Sequence, residues 1–196
     1  MAYPTVSSPY GFKPINRLDG LPYAGAIRQY PLTTGTAIYY GQPIELDVGG
    51  TVATATSLTS GAKIGVFVGC SYTNSSGQPV QAQYYPGSGV SNAVAYVVDD
   101  PWALFKVAVT TDGSTIGTVG KAAVGTNVTA LAGTPSATTG DAATSILNSS
   151  PAADASYPFR VVAVVPETAT GTDAFTEVIV KINLHQLLST TGNAVA

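Results

Sequence analysis

Charge is what this 196-residue chain has least of. Only 10% of its residues are Asp, Glu, Lys or Arg, against about 25% in an ordinary soluble domain. Eight basic residues stand against eleven acidic ones, for a net charge of −3, and the basic residues nowhere form a run. Nucleic acids are gripped by clustered Lys and Arg that release counterions from the phosphates, so direct nucleic-acid binding is not expected. The single cysteine, Cys70, leaves no internal disulfide to form. Set in the apolar run "KIGVFVGCSY", it reads as a small core residue rather than a nucleophile. The single histidine, His185, has no Glu or second His at helical spacing, so the metalloprotease pattern is missing. No apolar run approaches the ~18 residues of a membrane span. The first residues lack the basic and apolar regions of a secretory signal. The expectation is a protein made and used without membrane passage, in which the sequons at Asn74, Asn127 and Asn148 are chance matches.

Helical periodicity is equally scarce; no segment sustains a 3.6-residue apolar repeat over four turns. What the chain does have is 21 glycines and 13 prolines punctuating short runs rich in β-branched and aromatic residues. Candidate strands are residues 36–40, 43–47, 51–55, 64–72, 79–85, 93–98, 103–109, 121–131, 159–165 and 175–185. In the last of these, Val178, Val180 and Ile182 oppose Glu177, Ile179, Lys181 and Asn183, the alternation of a strand with one partly wet face. Short strands at regular intervals predict an all-β fold, a sandwich or barrel of jelly-roll-like type. Only 141–147 and the "HQLLS" segment near the C-terminus suggest a helical turn, and 133–156 reads as a surface loop or insertion. Residues 1–35 carry five prolines, which exclude a helix or a central strand. They also carry Tyr3, Tyr10, Phe12, Tyr23 and Tyr30, too many aromatics for a disordered tail. This predicts an extended, irregular N-terminal arm over 1–35, packed on its own domain or on a neighbour, and a single β-domain over 36–196.

Candidate chemistry is sparse. Asp99 and Asp100 are adjacent carboxylates, but neighbours on an extended chain point to opposite faces. Pro101 holds Asp100 in extended geometry, and Asp-Pro opens turns. A strand corner is the better reading than a catalytic dyad, and Asp99→Asn is expected to cost modest stability and no activity. Glu45 and Asp47, at i and i+2 before Gly49-Gly50, fit a solvated strand end better than a calcium loop. "GSTIGTVGKA" (113–122) misses the glycine and Ser/Thr positions of a phosphate loop. No G-x-S-x-G elbow occurs. The sequence therefore predicts no enzyme, no metal and no cofactor. Tyr39, Tyr40, Tyr84, Tyr85 and Trp102 could stack on sugar rings, which keeps a carbohydrate-binding domain as an alternative.

Three segments in order carry a resemblance: "YGFKPINRLDGLPYAGAIRQYPL" (10–32), "GVFVGCSY" (65–72) and "VAYVVDDPWALFKVAV" (94–109). Through Tyr10-Gly11-Phe12 with Pro14, Asp19-Gly20, Pro22-Tyr23, Gly25, Gly65 and Gly69, and Asp99-Asp100-Pro101 followed by Phe105, the first ~110 residues resemble head decoration or cement proteins of tailed bacteriophages. The resemblance implies a virion protein on the capsid surface, made in the host cytoplasm. It would bind the major capsid protein across coat-subunit junctions and itself as a homotrimer or homodimer. An aromatic arm of this kind makes Tyr3, Tyr10, Phe12, Pro14, Tyr23 and Tyr30 the candidate interface with coat or with a second subunit. Deleting residues 1 to about 20 would then abolish capsid binding and leave the β-domain's unfolding intact. A tail- or fibre-associated β-domain is the alternative within a virion.

Overall fold

Dense β-branched runs broken every few residues by Gly, Pro or Asp can pair only as short strands, and that is how this chain folds. A computed structural model describes residues 8–33, 35–165, 168 and 176–190. Among these the strands in chain order are β1 (Lys13–Arg17), β2 (Arg28–Pro31), β3 (Pro43–Leu46), β4 (Val52–Thr54), β5 (Gly65–Thr73), β6 (Pro79–Ala82), β7 (Ser91–Val98), β8 (Ala103–Thr110), β9 (Asn127–Val128), β10 (Ala130–Leu131), β11 (Ser145–Leu147), β12 (Phe159–Val164) and β13 (Glu177–Ile182). Single 3-10 turns lie at Lys121–Ala123 and Gln186–Leu188.

The strands form two sheets. The first runs β10-β11-β8-β13-β12-β9, with β1 also paired to β8. β1 takes one edge of β8 over residues 103–106, and β11 takes the same edge further on, at Val109 and Thr110. The two ends of this order, β9 and β10, are separated in sequence only by Thr129, whose carbonyl accepts the Leu147 amide at 3.1 Å. The sheet thus curls nearly closed, in the manner of a barrel. The second sheet runs β2-β7-β5-β3-β4, with β6 on β5. Leu32, just past β2, bridges to Val52 of β4, and the Thr33 amide bonds to the Val52 carbonyl at 3.1 Å. The two ends of the second sheet therefore also meet.

Each sheet wraps its own core. The first gathers Phe12, Phe105, Val107, Val109, Ile146, Phe159, Val178 and Val180, and the second Ile38, Ile44, Ile64, Phe67, Cys70, Tyr85 and Val97. β5 and β7 serve both, since Val66 and Val98 face the first core while Phe67 and Val97 face the second. Strands buried on both faces read as continuous apolar runs, which is why "GVFVGC" and "AYVV" do not alternate. The close pairing of these strands needs Gly65, where a Cβ would lie 2.2 Å from the Val98 carbonyl oxygen.

Several expectations are corrected. The irregular arm over 1–35 is, in its described part, two strands of the domain itself. Proline is excluded from central strands, but β1 and β2 are flanking strands, where a missing ladder donor is tolerated. Phe12 is wholly buried, its ring 6.3 Å from Phe105 in edge-on contact and 4.8 Å from Phe159. Gly11 makes this entry possible: its φ is +80°, its Cβ would lie 2.9 Å from the Gly41 oxygen, and the next amide bonds to that oxygen at 2.8 Å. The 141–147 segment is not helical; Ser145–Leu147 is β11, paired antiparallel to β10 and parallel to β8. The loop expected over 133–156 is therefore interrupted by a buried strand. The candidate strand at 36–40 is reduced to isolated bridges at Ile38 and Tyr40, and that at 121–131 to a 3-10 turn and two two-residue strands.

Candidate functional site

The corner between β7 and β8 carries the chain from one sheet to the other. Asp100 caps it, its Oδ1 accepting the Trp102 amide at 2.9 Å and its carbonyl the Ala103 amide at 3.0 Å. Its Oδ2 lies 3.1 Å from Arg17 Nε at the end of β1. Asp99 turns the other way, as adjacent residues in extended chain must, and is 8% exposed. Its Oδ2 accepts the Tyr30 hydroxyl at 2.6 Å and pairs with Arg28 Nε at 3.1 Å, both from β2. The two carboxylates therefore diverge, and each holds an arginine from a flanking strand. Burial first, then the Asp99 hydrogen bond, pushes the Tyr30 phenol up to about 12. Tyr23 rises to about 12 as well, through burial and then the nearby charges of Asp100 and Asp99.

His185 lies beside this corner. It is 3% exposed, and its Nδ1 accepts the Leu187 amide at 3.2 Å, capping the last 3-10 turn. Burial lowers its affinity for a proton, only partly opposed by Asp99 and Asp100. A neutral imidazole that accepts at Nδ1 carries its proton on Nε2. Cys70 is fully buried, its thiol directed at the Tyr84 carbonyl at 3.4 Å, and burial pushes it up to about 11. Such a thiol is inert at neutral pH. Glu45 and Asp47 do not act together. Glu45 binds the amide and hydroxyl of Thr56 and lies 3.7 Å from the buried Lys63 ammonium, whereas Asp47 bonds its own hairpin at the Val48 amide. Among the described residues, no three His, Cys, Asp or Glu side chains are grouped to hold a metal ion.

The residues expected to form an interface divide into two groups. Phe12 belongs to the first core, and Pro14 lies on β1 opposite Phe105. Tyr10 is turned inward too. Its hydroxyl donates to Glu177 Oε1, Lys106 Nζ contacts the same carboxylate at 3.2 Å, and Lys13 Nζ sits 4.6 Å over its ring. Burial and the Glu177 contact raise the Tyr10 phenol far above the ordinary tyrosine range. Tyr23 and Tyr30 instead flank the Asp99-Asp100 corner. Tyr3 lies outside the described residues.

Solvent at that corner meets large apolar side chains, of which only Trp102 was singled out from the sequence. Leu18 is 39% exposed, Leu21 56%, Ile27 49% and Trp102 51%. They make up four of the eight large apolar side chains exposed among the described residues. The loop joining β1 to β2 is closed on itself by the Arg17 amide on the Leu21 carbonyl at 2.9 Å and the Tyr23 hydroxyl on the Ala26 carbonyl at 2.7 Å, and tied to the corner by the Leu18 amide on the Trp102 carbonyl at 2.8 Å. The available signal was the presence of large apolar residues in a stretch whose glycines and prolines forbid a buried element. Of the tyrosines considered for sugar stacking, Tyr85 is fully buried and Tyr39 stacks on Tyr84 at 5.4 Å and 8°.

No protein-family model, curated protein or solved structure matches this chain.

Proposed function

We propose that this chain is a decoration protein of a tailed-bacteriophage head, bound to the outside of the shell and clamping neighbouring coat subunits against the pressure of packaged DNA. The observation that carries the proposal is the exposed corner of Leu18, Leu21, Ile27 and Trp102, where the Leu18 amide ties the β1–β2 loop to the Trp102 carbonyl of the β7–β8 turn. Rigid apolar anchors lose little entropy on docking, and aromatic anchors dominate the energetics of interfaces. The low overall charge suits a surface that spends its working life against other subunits. The resemblance of residues 10–109 to such proteins points the same way. The major capsid protein is the proposed partner, with a homotrimer or homodimer of the chain itself as the unit that docks. Repeated over a lattice, one modest contact per subunit becomes a strong multivalent hold.

Quantitative mass spectrometry of purified particles tests this reading. Hundreds of copies, in simple ratio to the coat protein, are the expected result. A count of a few to tens would assign the chain to the tail or a fibre, and absence from particles would overturn a virion role.

A further inference from the structure

At the opposite end of β8 from the corner lies a cavity of 430 Å³, within the range of about 300–1,000 Å³ common for small-ligand sites. β8 spans eight residues, so the cavity and the apolar corner are separated by about 25 Å of strand. The cavity is lined by hydroxyl side chains from three separate segments, Ser8, Ser114, Thr134, Ser136 and Thr139, together with the Asp141 carboxylate. Among the described lining residues there is no Lys or Arg.

Two of the three walls are preformed. Asp112 fixes the first loop, accepting the Ser114 and Thr115 amides at 2.9 and 2.7 Å and both their hydroxyls. Gly133 is packed so closely that a Cβ there would lie 2.5 Å from the Gly113 oxygen and 2.7 Å from the Ala143 oxygen. The second loop is closed by the Ser136 amide on the Asp141 carbonyl at 3.1 Å and the Gly140 amide on the Ser136 carbonyl at 2.8 Å. Within this loop, Ser136 Oγ accepts the Thr139 amide at 3.2 Å and Thr139 Oγ1 accepts the Asp141 amide at 3.3 Å. Each hydroxyl thus has one of its two acceptor positions used, which leaves its proton and a second lone pair for a ligand. Asp141 Oδ1 takes Gln83 Nε2 at 3.2 Å, and its second oxygen is an acceptor.

We propose that this cavity binds a short neutral saccharide. The fixed hydroxyls of Ser136 and Thr139 beside one carboxylate acceptor match a ligand whose every substituent is itself a donor and an acceptor. A sulfated, phosphorylated or carboxylated ligand would meet the Asp141 carboxylate with no cation among the described lining residues, Lys13 being engaged over the Tyr10 ring, and is disfavoured by charge. Among the described lining residues the half-buried Tyr10 is the one aromatic, and its ring is already covered by Lys13. Single-site affinity is therefore weak and specificity comes from hydrogen bonds, so useful retention needs many copies presented together.

The site does not depend on the capsid reading, and its test uses the free intact protein. The protein is applied to an array of neutral, sulfated and sialylated glycans, and the bound neutral glycans are then titrated in solution by NMR. Expected are hits confined to neutral glycans, with amide shifts at Ser114 and over residues 134–141. Asp141→Asn and Ser136→Ala should each weaken binding about tenfold, while thermal unfolding stays near wild type. Absence of binding to every neutral glycan, a preference for charged ones, or shifts centred on Trp102 would overturn the proposal. Binding unaffected by both variants would overturn it as well.

Discussion

Replacing Phe12 by alanine would distinguish an arm from a structural strand. The side chain is fully buried against Phe105 and Phe159 in the first core. Truncating such a phenylalanine removes its transfer free energy and leaves a cavity, at a typical cost of about 3–5 kcal/mol. Against a total stability of about 5–15 kcal/mol, that is about a fifth of the total or more. For a chain of this length each kcal/mol moves the melting temperature by about 2–4 °C, so a fall on the order of 6–20 °C is expected. Phe12→Leu, which keeps most of the apolar volume, should lose far less. The assay is urea unfolding followed by circular dichroism, with the transition slope compared between variants to verify that the same surface is exposed. By the same reasoning, deleting residues 1–20 removes β1 as well as Phe12 and should destroy cooperative unfolding. This reverses the expectation drawn from an independent arm. A Phe12→Ala midpoint within about 0.5 kcal/mol of wild type would refute the placement of this segment in the core.

Asp99→Asn should lower stability by about 1–2 kcal/mol, since it ends the ion pair with an exposed Arg28 and weakens the Tyr30 bond; an unchanged urea midpoint would count against that role. His185 is the only histidine, and its burial disfavours the imidazolium, so the unfolded chain binds that proton more readily than the folded one. Stability contributed by this site should fall as pH drops below about 6.5. His185→Asn, which can still accept the Leu187 amide, should flatten the profile between about pH 7.5 and 5.5, and a profile identical to wild type would refute the assignment. Leu21→Ser and Trp102→Ser should each change stability by less than about 0.5 kcal/mol yet weaken attachment to stripped particles at least about tenfold. Co-sedimentation measures this, and full retention of both variants on the particles would remove the corner from the proposed interface.

The sequence made the β class legible because its evidence is local. Every strand of five residues or more from residue 36 onward was marked by β-branched runs between turn residues, and β13 by its alternation. The Asp99-Asp100-Pro101 corner was legible for the same reason, since divergence of adjacent side chains and the proline constraint need no tertiary information. The residues behind the family resemblance mostly serve the fold: Gly11 and Phe12 enter a core, Gly65 allows two strands to approach, and Asp100 caps a turn. What local pattern could not supply was the identity of each residue's partner. β11 is three residues long, too short to show any period, and becomes a strand only because β8 and β10 offer free edges. β1 and β2 hid behind prolines that matter in a sheet interior and not at its flank.

The candidate surfaces follow the same division. Low charge, one cysteine, one histidine and punctuated apolar runs are properties of the chain alone, and they determined an all-β protein with little material for acid–base or metal chemistry. Only the tertiary structure decided which aromatics were spent inside, which apolar residues were left at the corner, and which hydroxyls converge on one cavity. The physical reason is that burial and convergence are set by contacts between residues far apart in sequence. Tyr10 meets Glu177 across 167 positions, and Ser8 shares a cavity with Asp141, so no window of the chain contains either fact.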